Sequence, residues 1–421
     1  MVRDLTQIHL INTGSELMLG RVLNTHQQWL CRQLADRGYV VTRQVAVDDS
    51  GASIQQAVRE ALAAAELVIV TGGLGPTSDD RTRDLVAELL GRRLREDESI
   101  VAHIGRFFTA RGRPMPPGTR VQAMVPEGAT VLANAHGTAP GLVMDAPDGR
   151  CLVMLPGPPR ELRPMFLEQC VPILTRRFPL QGAFVCRTLK TTGLGESMVE
   201  ERVAPSLAAL LNAGLEIGYC ARVGDVDVRF TAHGERARDL VTEAERIARE
   251  RLGGLVYGTD DESLETVLVK LLTERKQTVA LAESCTGGFL AHRLTNVPGA
   301  SVVFPGGLVT YSNAAKQHFL GVRLETLVAH GAVSEATVRE MAEGARTRVG
   351  TDYALAVTGI AGPGGGTPDK PVGTVWMALA TAQGTRAMKK LNPVDRETFK
   401  YVSSQQALDL LRREMVSKRE A

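Results

Sequence analysis

Three stretches of this 421-residue chain set reactive or ligand-binding side chains beside glycine where an apolar strand pattern runs out. In Ala280-Leu281-Ala282-Glu283-Ser284-Cys285-Thr286-Gly287-Gly288, a buried-strand run leads into a polar, glycine-bearing helix start. A hydroxyl or thiol there sits among the backbone N–H groups that a helix leaves unpaired in its first turn, the parts of an oxyanion hole. Ser284 and Cys285 are both candidate nucleophiles, and helix capping by Ser284 or Thr286 is the competing structural reading. In Gly307-Leu308-Val309-Thr310-Tyr311-Ser312-Asn313-Ala314-Ala315-Lys316, a strand ends in a tyrosine and a lysine follows five residues later. A serine needs a base to attack an amide, and neither stretch holds a histidine. His292 falls inside the next helix and His318 beyond the lysine. An amine whose pKa burial lowers serves as that base in Ser–Lys enzymes, and Tyr311 could relay a proton or orient it. An exposed helix lysine is the commoner fate of such a residue. The third stretch, Val357-Thr358-Gly359-Ile360-Ala361-Gly362-Pro363-Gly364-Gly365-Gly366, allows close backbone approach to a phosphate, with Thr358 as a donor. A flexible surface loop is the alternative.

The first part of the chain has its own constellation. Asn12 to Glu16, Thr71-Gly72-Gly73-Leu74-Gly75-Pro76-Thr77-Ser78-Asp79-Asp80 and Leu155-Pro156-Gly157-Pro158-Pro159-Arg160-Glu161 each follow a strand pattern. Glycines between strand and helix let amides face an anion, which the helix N-terminus also favours. The adjacent carboxylates Asp79 and Asp80 could hold a divalent ion on phosphate oxygens, or cap a helix.

The elements that carry these residues read as α/β throughout. Strands are expected at Gln7–Ile11, Val40–Val47 and Leu67–Thr71, and helices at Val22–Arg37 and Ala52–Ala65, which implies βαβ units and a mostly parallel sheet. Short strands at Gly141–Asp145 and Cys151–Leu155 precede a helix over Arg160–Phe178. From Gln181 to Tyr257 the order strand, helix, strand, strand, helix marks a small α+β module. A helix at Ser263–Glu274, strands at Thr278–Ala282, within Val302–Tyr311 and at Tyr353–Thr358, and helices at Gly287–Leu294 and Ser334–Val349 follow. A hairpin around Gly384 and a helix over Arg396–Arg413 complete a third domain, with a tail Val416–Ala421 expected to fray. The expected boundaries are 1–178, 179–258 and 259–421.

Composition narrows the function classes. Apolar residues at 44% and charged residues at 23% describe a globular chain, not a disordered one. A formal charge of +2 and 4% aromatics give no reason to expect nucleic acid or an anionic membrane as partner. Six scattered cysteines without metal-knuckle spacing read as reduced thiols. The N-terminal MVRDLTQIHLIN shows no apolar targeting segment, so the cytoplasm is the expected compartment.

The motifs GSELMLGRVLNT, TGGLGPTSDDRT, AHGTAPG, LPGPPREL, AESCTGG, YSNxxK and VTGIAGPGGG resemble, in order and along the whole chain, those of the CinA family. That resemblance implies a first domain like the molybdopterin-binding proteins, acting as an ADP-ribose pyrophosphatase with a divalent metal (Co2+, Mg2+ or Mn2+) and K+. It implies a last domain that deamidates nicotinamide mononucleotide without a metal, placing both activities in pyridine nucleotide recycling. By resemblance Glu16, Asp79 and Asp80 are the metal candidates, and Gly72, Gly73 and Gly75 the phosphate cradle. Ser284 is the nucleophile, with Lys316 and Tyr311 activating it. Thr286, Gly287 and Gly288 bind the oxyanion, while Thr358, Gly362, Gly364 and Arg396 line the substrate site. Departures are Ser15 for threonine, Lys400 for a second arginine, and Asn392-Pro393-Val394 before Asp395 in place of glycine. Lysine keeps the charge but lacks the bidentate fork. Relatives are understood to be dimeric, and the middle module, without a catalytic motif, is expected to help organise a homodimer. The contrasting reading is a molybdopterin-like binding protein tied to competence or DNA repair, with vestigial catalysis.

Overall fold

The apolar runs Ile8–Thr13, Leu67–Thr71 and Cys151–Leu155 become adjacent parallel strands because each is buried on both faces. Alternate residues feed two cores. Leu10, Ile69 and Val153 pack towards Leu30, Leu34 and Leu162, while Ile11, Val70 and Leu152 pack towards Ile54 and Val58. The computed structural model describes residues 6–417, which divide after Val185 into two units. In the first, the six-stranded sheet runs Val41–Val47, Ile8–Thr13, Leu67–Thr71, Cys151–Leu155, Gly141–Asp145, Thr130–Leu132. Its first four strands are parallel and its last two antiparallel. Parallel pairing puts the carboxyl ends Thr13, Thr71 and Leu155 on one edge, so the three glycine-bearing clusters lie together.

Two helices differ from expectation. Instead of one helix over Val22–Arg37, a short turn at Ser15–Met18 is followed by Thr25–Ala35. Asn24 accepts from the Gln27 amide at 3.1 Å and so caps the helix there, leaving Val22 and Leu23 exposed. The helix expected over Arg160–Phe178 runs as Pro159–Met165, a π turn at Phe166–Cys170 and Val171–Arg177. The π turn lies between Pro164 and Pro172, which have no N–H to donate to the regular ladder. Helix Thr82–Leu89 begins just after Asp79 and Asp80, where a helix start is expected, whereas helix Glu98–Thr109 has no counterpart in the sequence reading.

The second unit holds two sheets. Strands Glu216–Arg222, Asp225–His233, Phe184–Thr192 and Val256–Thr259 form one, with helices Glu196–Val203 and Ala237–Leu252 between them in sequence. The other runs Gly306–Val309, Val279–Glu283, Tyr353–Gly359, Thr374–Thr381, Gly384–Leu391, three parallel strands followed by the expected hairpin. One face, carrying Leu281, Leu355 and Met377, packs on Leu264–Arg275 and the last helix, Arg396–Ser417. The other is lined by Ala280, Ala282, Ala354, Ala356, Ala378 and Ala380, against Val338, Met341 and Ala345 of helix Glu335–Val349. Residues 1–5 of the stretch read for a targeting segment, and 418–421 of the expected frayed tail, lie outside the described residues. Val416 and Ser417 continue the last helix. Among the described residues no helix is long and apolar enough to cross a membrane.

Candidate functional site

Strand Val279–Glu283 ends in a turn whose direction its glycines allow. Gly287 and Gly288 have φ of 61° and 92°, the left-handed region that side chains disfavour. The Ser284 amide donates to Val357 O at 3.0 Å, so the neighbouring strand holds the serine in place. Lys316 comes to it from helix Asn313–Leu320, which Ser312 caps through the Ala315 amide at 3.1 Å. Its side chain is only 1% exposed, and Nζ donates to Ser284 Oγ at 2.9 Å and to Thr310 O at 2.7 Å. Among the described residues no carboxylate pairs with this amine, and burial lowers its pKa from 10.5 to about 8. Sequence alone left open an exposed lysine; the structure buries it.

The same turn separates the two candidate nucleophiles. Cys285 points into the core with Leu281, Leu290 and Val357, and burial pushes its thiol up to about 12. A thiol protonated at neutral pH is a poor nucleophile. Of the two, Ser284 is the one that hydrogen-bonds the lysine amine.

Glu283, which carried no expected role, organises the turn. Its buried carboxylate accepts from the amides of Gly288 (3.0 Å), Leu290 (3.1 Å) and Ala291 (2.8 Å), capping helix Phe289–Thr295. Neither Ser284 nor Thr286 makes a side-chain cap there. A carboxylate shortly before a glycine-led helix was the available signal. This narrows the expected oxyanion donors. The Gly288 amide is held by Glu283, and the Gly287 amide by Ser284 O at 3.1 Å. The amides of Cys285 and Thr286 lie against the Cys285 sulfur, and the fully buried Thr286 hydroxyl has no hydrogen-bond partner. An unpaired buried hydroxyl costs about 1–3 kcal/mol.

Arg396 ties two loops to this centre, donating to Tyr311 Oη at 2.6 Å and to Gly362 O at 2.8 Å. The Tyr311 hydroxyl is thus an acceptor for arginine, and no bond joins it to Lys316 or Ser284. Thr358 is 1% exposed and donates to Ala332 O at 2.8 Å, so its proton is committed inside the protein rather than to a ligand. Gly364 is exposed in the same loop as Gly362. Arg396 and Lys400 line a cavity of 770 Å3 with Phe289 and Tyr401. Lys400 Nζ lies 4.0 Å from where a Cβ on Gly287 would stand, so this cavity adjoins the serine turn.

In the first unit, Glu16, Gly72, Gly73, Gly75, Asp79 and Asp80 all line one cavity of 580 Å3 at the strand ends. A Cβ on Gly72 would come 2.7 Å from Thr13 O, and one on Gly73 2.0 Å from Thr82 Oγ1, so packing between strand ends already demands glycine. The Gly72 amide donates to Leu155 O at 3.0 Å, which leaves the cradle to begin at Gly73. Asp80 accepts from the Thr77 amide at 3.0 Å and from its hydroxyl, closing the loop on itself. Hydrogen bonding to Thr77 also lowers the Asp79 pKa. Helix Thr82–Leu89 begins without a side-chain cap, so neither aspartate performs the capping considered from sequence. Glu161, in the third glycine-bearing cluster, joins the cavity wall and accepts from Asn134 at 2.8 Å. Among the described residues no three His, Cys, Asp or Glu side chains converge as a ready ligand set. Glu16, Asp79 and Asp80 thus share the cavity wall without converging on one point, and Asp80 is committed to Thr77.

Residues 9–176 match the family model described as a probable molybdopterin binding domain. Residues 186–258 match the damage-inducible protein CinA KH domain, and 261–415 the CinA C-terminal domain. A putative competence-damage inducible protein of Moorella thermoacetica is 44% identical over 97% of this chain and 99% of its own length. The chain belongs to the CinA family. A CinA-like protein of Akkermansia muciniphila is 45% identical over 96% of each chain. The crystal structure of competence/damage inducible protein CihA from Agrobacterium tumefaciens is 41% identical, covering 35% of this chain and 91% of that one, with a TM-score of 0.35. The CinA architecture expected from the motifs is therefore present: a molybdopterin-binding-like α/β domain, a small middle domain and an α/β C-terminal domain. Within the CinA C-terminal domain, motif residues from three separate segments meet in two pairs, Ser284 with Lys316 and Tyr311 with Arg396.

Proposed function

We propose that the C-terminal domain is a Ser–Lys amidohydrolase that converts nicotinamide mononucleotide to nicotinate mononucleotide and ammonia. The observation that carries this reading is the buried Lys316 amine, without a carboxylate partner, 2.9 Å from Ser284 Oγ. Burying an amine costs folding free energy, and a protein that only bound ligands would gain nothing from it. In its neutral form Lys316 takes the Ser284 proton as Oγ bonds to the carboxamide carbon, and the carbonyl π pair moves onto oxygen. The Thr286 hydroxyl, buried without a partner in the same turn, would be a donor to that oxygen. As the tetrahedral adduct collapses, the C–N bond breaks and Lys316 returns its proton to nitrogen, releasing ammonia. Water, deprotonated by the same amine, then cleaves the acyl–serine ester. Arg396 and Lys400 supply positive charge to the substrate phosphate.

For the first domain, the proposal is hydrolysis of ADP-ribose to AMP and ribose 5-phosphate. A divalent ion there would offset charge on the diphosphate. Glu16, Asp79 and Asp80 would hold it, and the amides from Gly73 onward would meet the phosphate oxygens.

The two activities test each other. Ammonia release from nicotinamide mononucleotide is expected to vanish in Ser284→Ala and persist in Cys285→Ala, with metal-dependent ADP-ribose cleavage intact in both. The double variant Asp79→Asn, Asp80→Asn should show the reverse pattern. No ammonia from the unaltered chain would refute the amidase, and an unchanged metal titration in the double variant would refute the carboxylate assignment.

A further inference from the structure

The middle domain reaches the cavity beside the serine turn. Its strands Glu216–Arg222 and Asp225–His233 are joined by a tight turn at Val223 and Gly224. That turn is anchored by buried polar groups. Asp225 accepts from Gln405 Nε2 at 2.6 Å, and Gln405 Oε1 accepts from Arg293 at 2.6 Å. Arg293 also donates to Ser404 and Glu265, both at 2.8 Å. Gly224 has φ of 80°, and a Cβ there would already stand 3.5 Å from the Gln405 stem. Breaking one partner in such a network strands the others without water, so the turn is held firmly on the last helix. The anchored turn makes Val223 a wall of the 770 Å3 cavity shared with Phe289, Arg396, Lys400 and Tyr401.

The cavity mixes charge and apolar surface: Arg396, Lys400, Glu397 and Thr398 line it together with Val223 and the rings of Phe289 and Tyr401, whose centroids are 6.1 Å apart, and Lys400 Nζ lies 5.9 Å from the Phe289 ring centroid. It meets the serine turn at Gly287. We infer that the middle-domain turn, through Val223, is a specificity-determining wall of the cavity beside the serine turn that limits the size of the nucleotide the cavity admits. The inference rests on the amidase reading. Narrowing the cavity at Val223 then obstructs even a mononucleotide, and widening it admits a larger one. The middle domain is then part of the catalytic unit and not merely a connector.

Val223→Trp and Val223→Gly test it in the full-length chain. The tryptophan variant should raise KM for nicotinamide mononucleotide about tenfold or more with kcat nearly unchanged, the split expected when only binding is obstructed. The glycine variant should release ammonia from a nicotinamide dinucleotide faster than the unaltered chain does. A second readout needs no nucleotide: labelling of Ser284 by an arylsulfonyl fluoride and by methanesulfonyl fluoride, followed by intact mass. Val223→Trp should slow the aryl reagent about tenfold and leave the methyl reagent alone, because only the larger one needs the space. If the unaltered chain releases no ammonia yet this selectivity appears, the substrate reading fails and the wall stands. Equal labelling by both reagents in both proteins overturns the wall whatever the substrate. No labelling of Ser284 in the unaltered chain overturns both.

Discussion

Replacing Lys316 with methionine removes the amine and keeps the stem, and the structure says how large the effect should be. With its pKa near 8, lowered by burial, the amine is about 9% neutral at pH 7; at its ordinary 10.5 it would be about 0.03% neutral. Burial therefore supplies roughly 300-fold more ready base at neutral pH. Raising pH strips the proton, so kcat/KM for ammonia release should climb about tenfold per unit up to roughly pH 8 and level above it. Lys316→Met should lose about 10²–10⁴-fold and lose that pH dependence. Stability gives an independent check. Between about 8 and 10.5 the unfolded chain holds this proton and the folded chain does not, so raising pH through that window stabilises the fold. Lys316→Met should abolish that rise and unfold at no lower denaturant concentration at pH 7, since no amine then needs desolvating. A rate profile flat from pH 6 to 9, or a methionine variant within about tenfold of the original, would refute the assignment of Lys316 as base.

Glu283→Gln leaves one carbonyl oxygen where two carboxylate oxygens now accept three amides. Denaturant unfolding should show a loss of about 2–4 kcal/mol, and turnover should fall as the serine turn loosens; an unchanged midpoint would show the cap to be dispensable. Homodimer formation is expected from the family resemblance, so light scattering at micromolar concentration should give twice the mass of one chain. A single-chain mass would remove that expectation.

Much of the architecture was legible because burial writes itself into strand runs such as Leu67–Thr71 and Tyr353–Thr358, and parallel strands then have few ways to pair. The Ser284 and Lys316 motifs were visible as residue types at the ends of such runs. Local signals also misled. Val22 and Leu23 extended a helical pattern that Asn24 in fact begins afresh, and the side-chain bond that decides this competes with periodicity at short range. What sequence could not supply was protonation and commitment. Whether Lys316 was exposed or buried depended on packing its helix against a strand more than thirty residues away. Which of Ser284 and Cys285 hydrogen-bonds its amine depended on which of two adjacent side chains faces the core, a matter of a turn set by Gly287 and Gly288. Thr358 looked like a ligand donor until Ala332 O claimed its proton, and Glu283, the last residue of its strand, carried no expected role until three amides closed on it. Val223 carried no signal at all, since its place in the cavity comes from Asp225 and Gln405, 180 positions apart. Residue type and order travel with the chain, whereas pKa, hydrogen-bond commitment and cavity walls are properties of neighbours that only folding brings together.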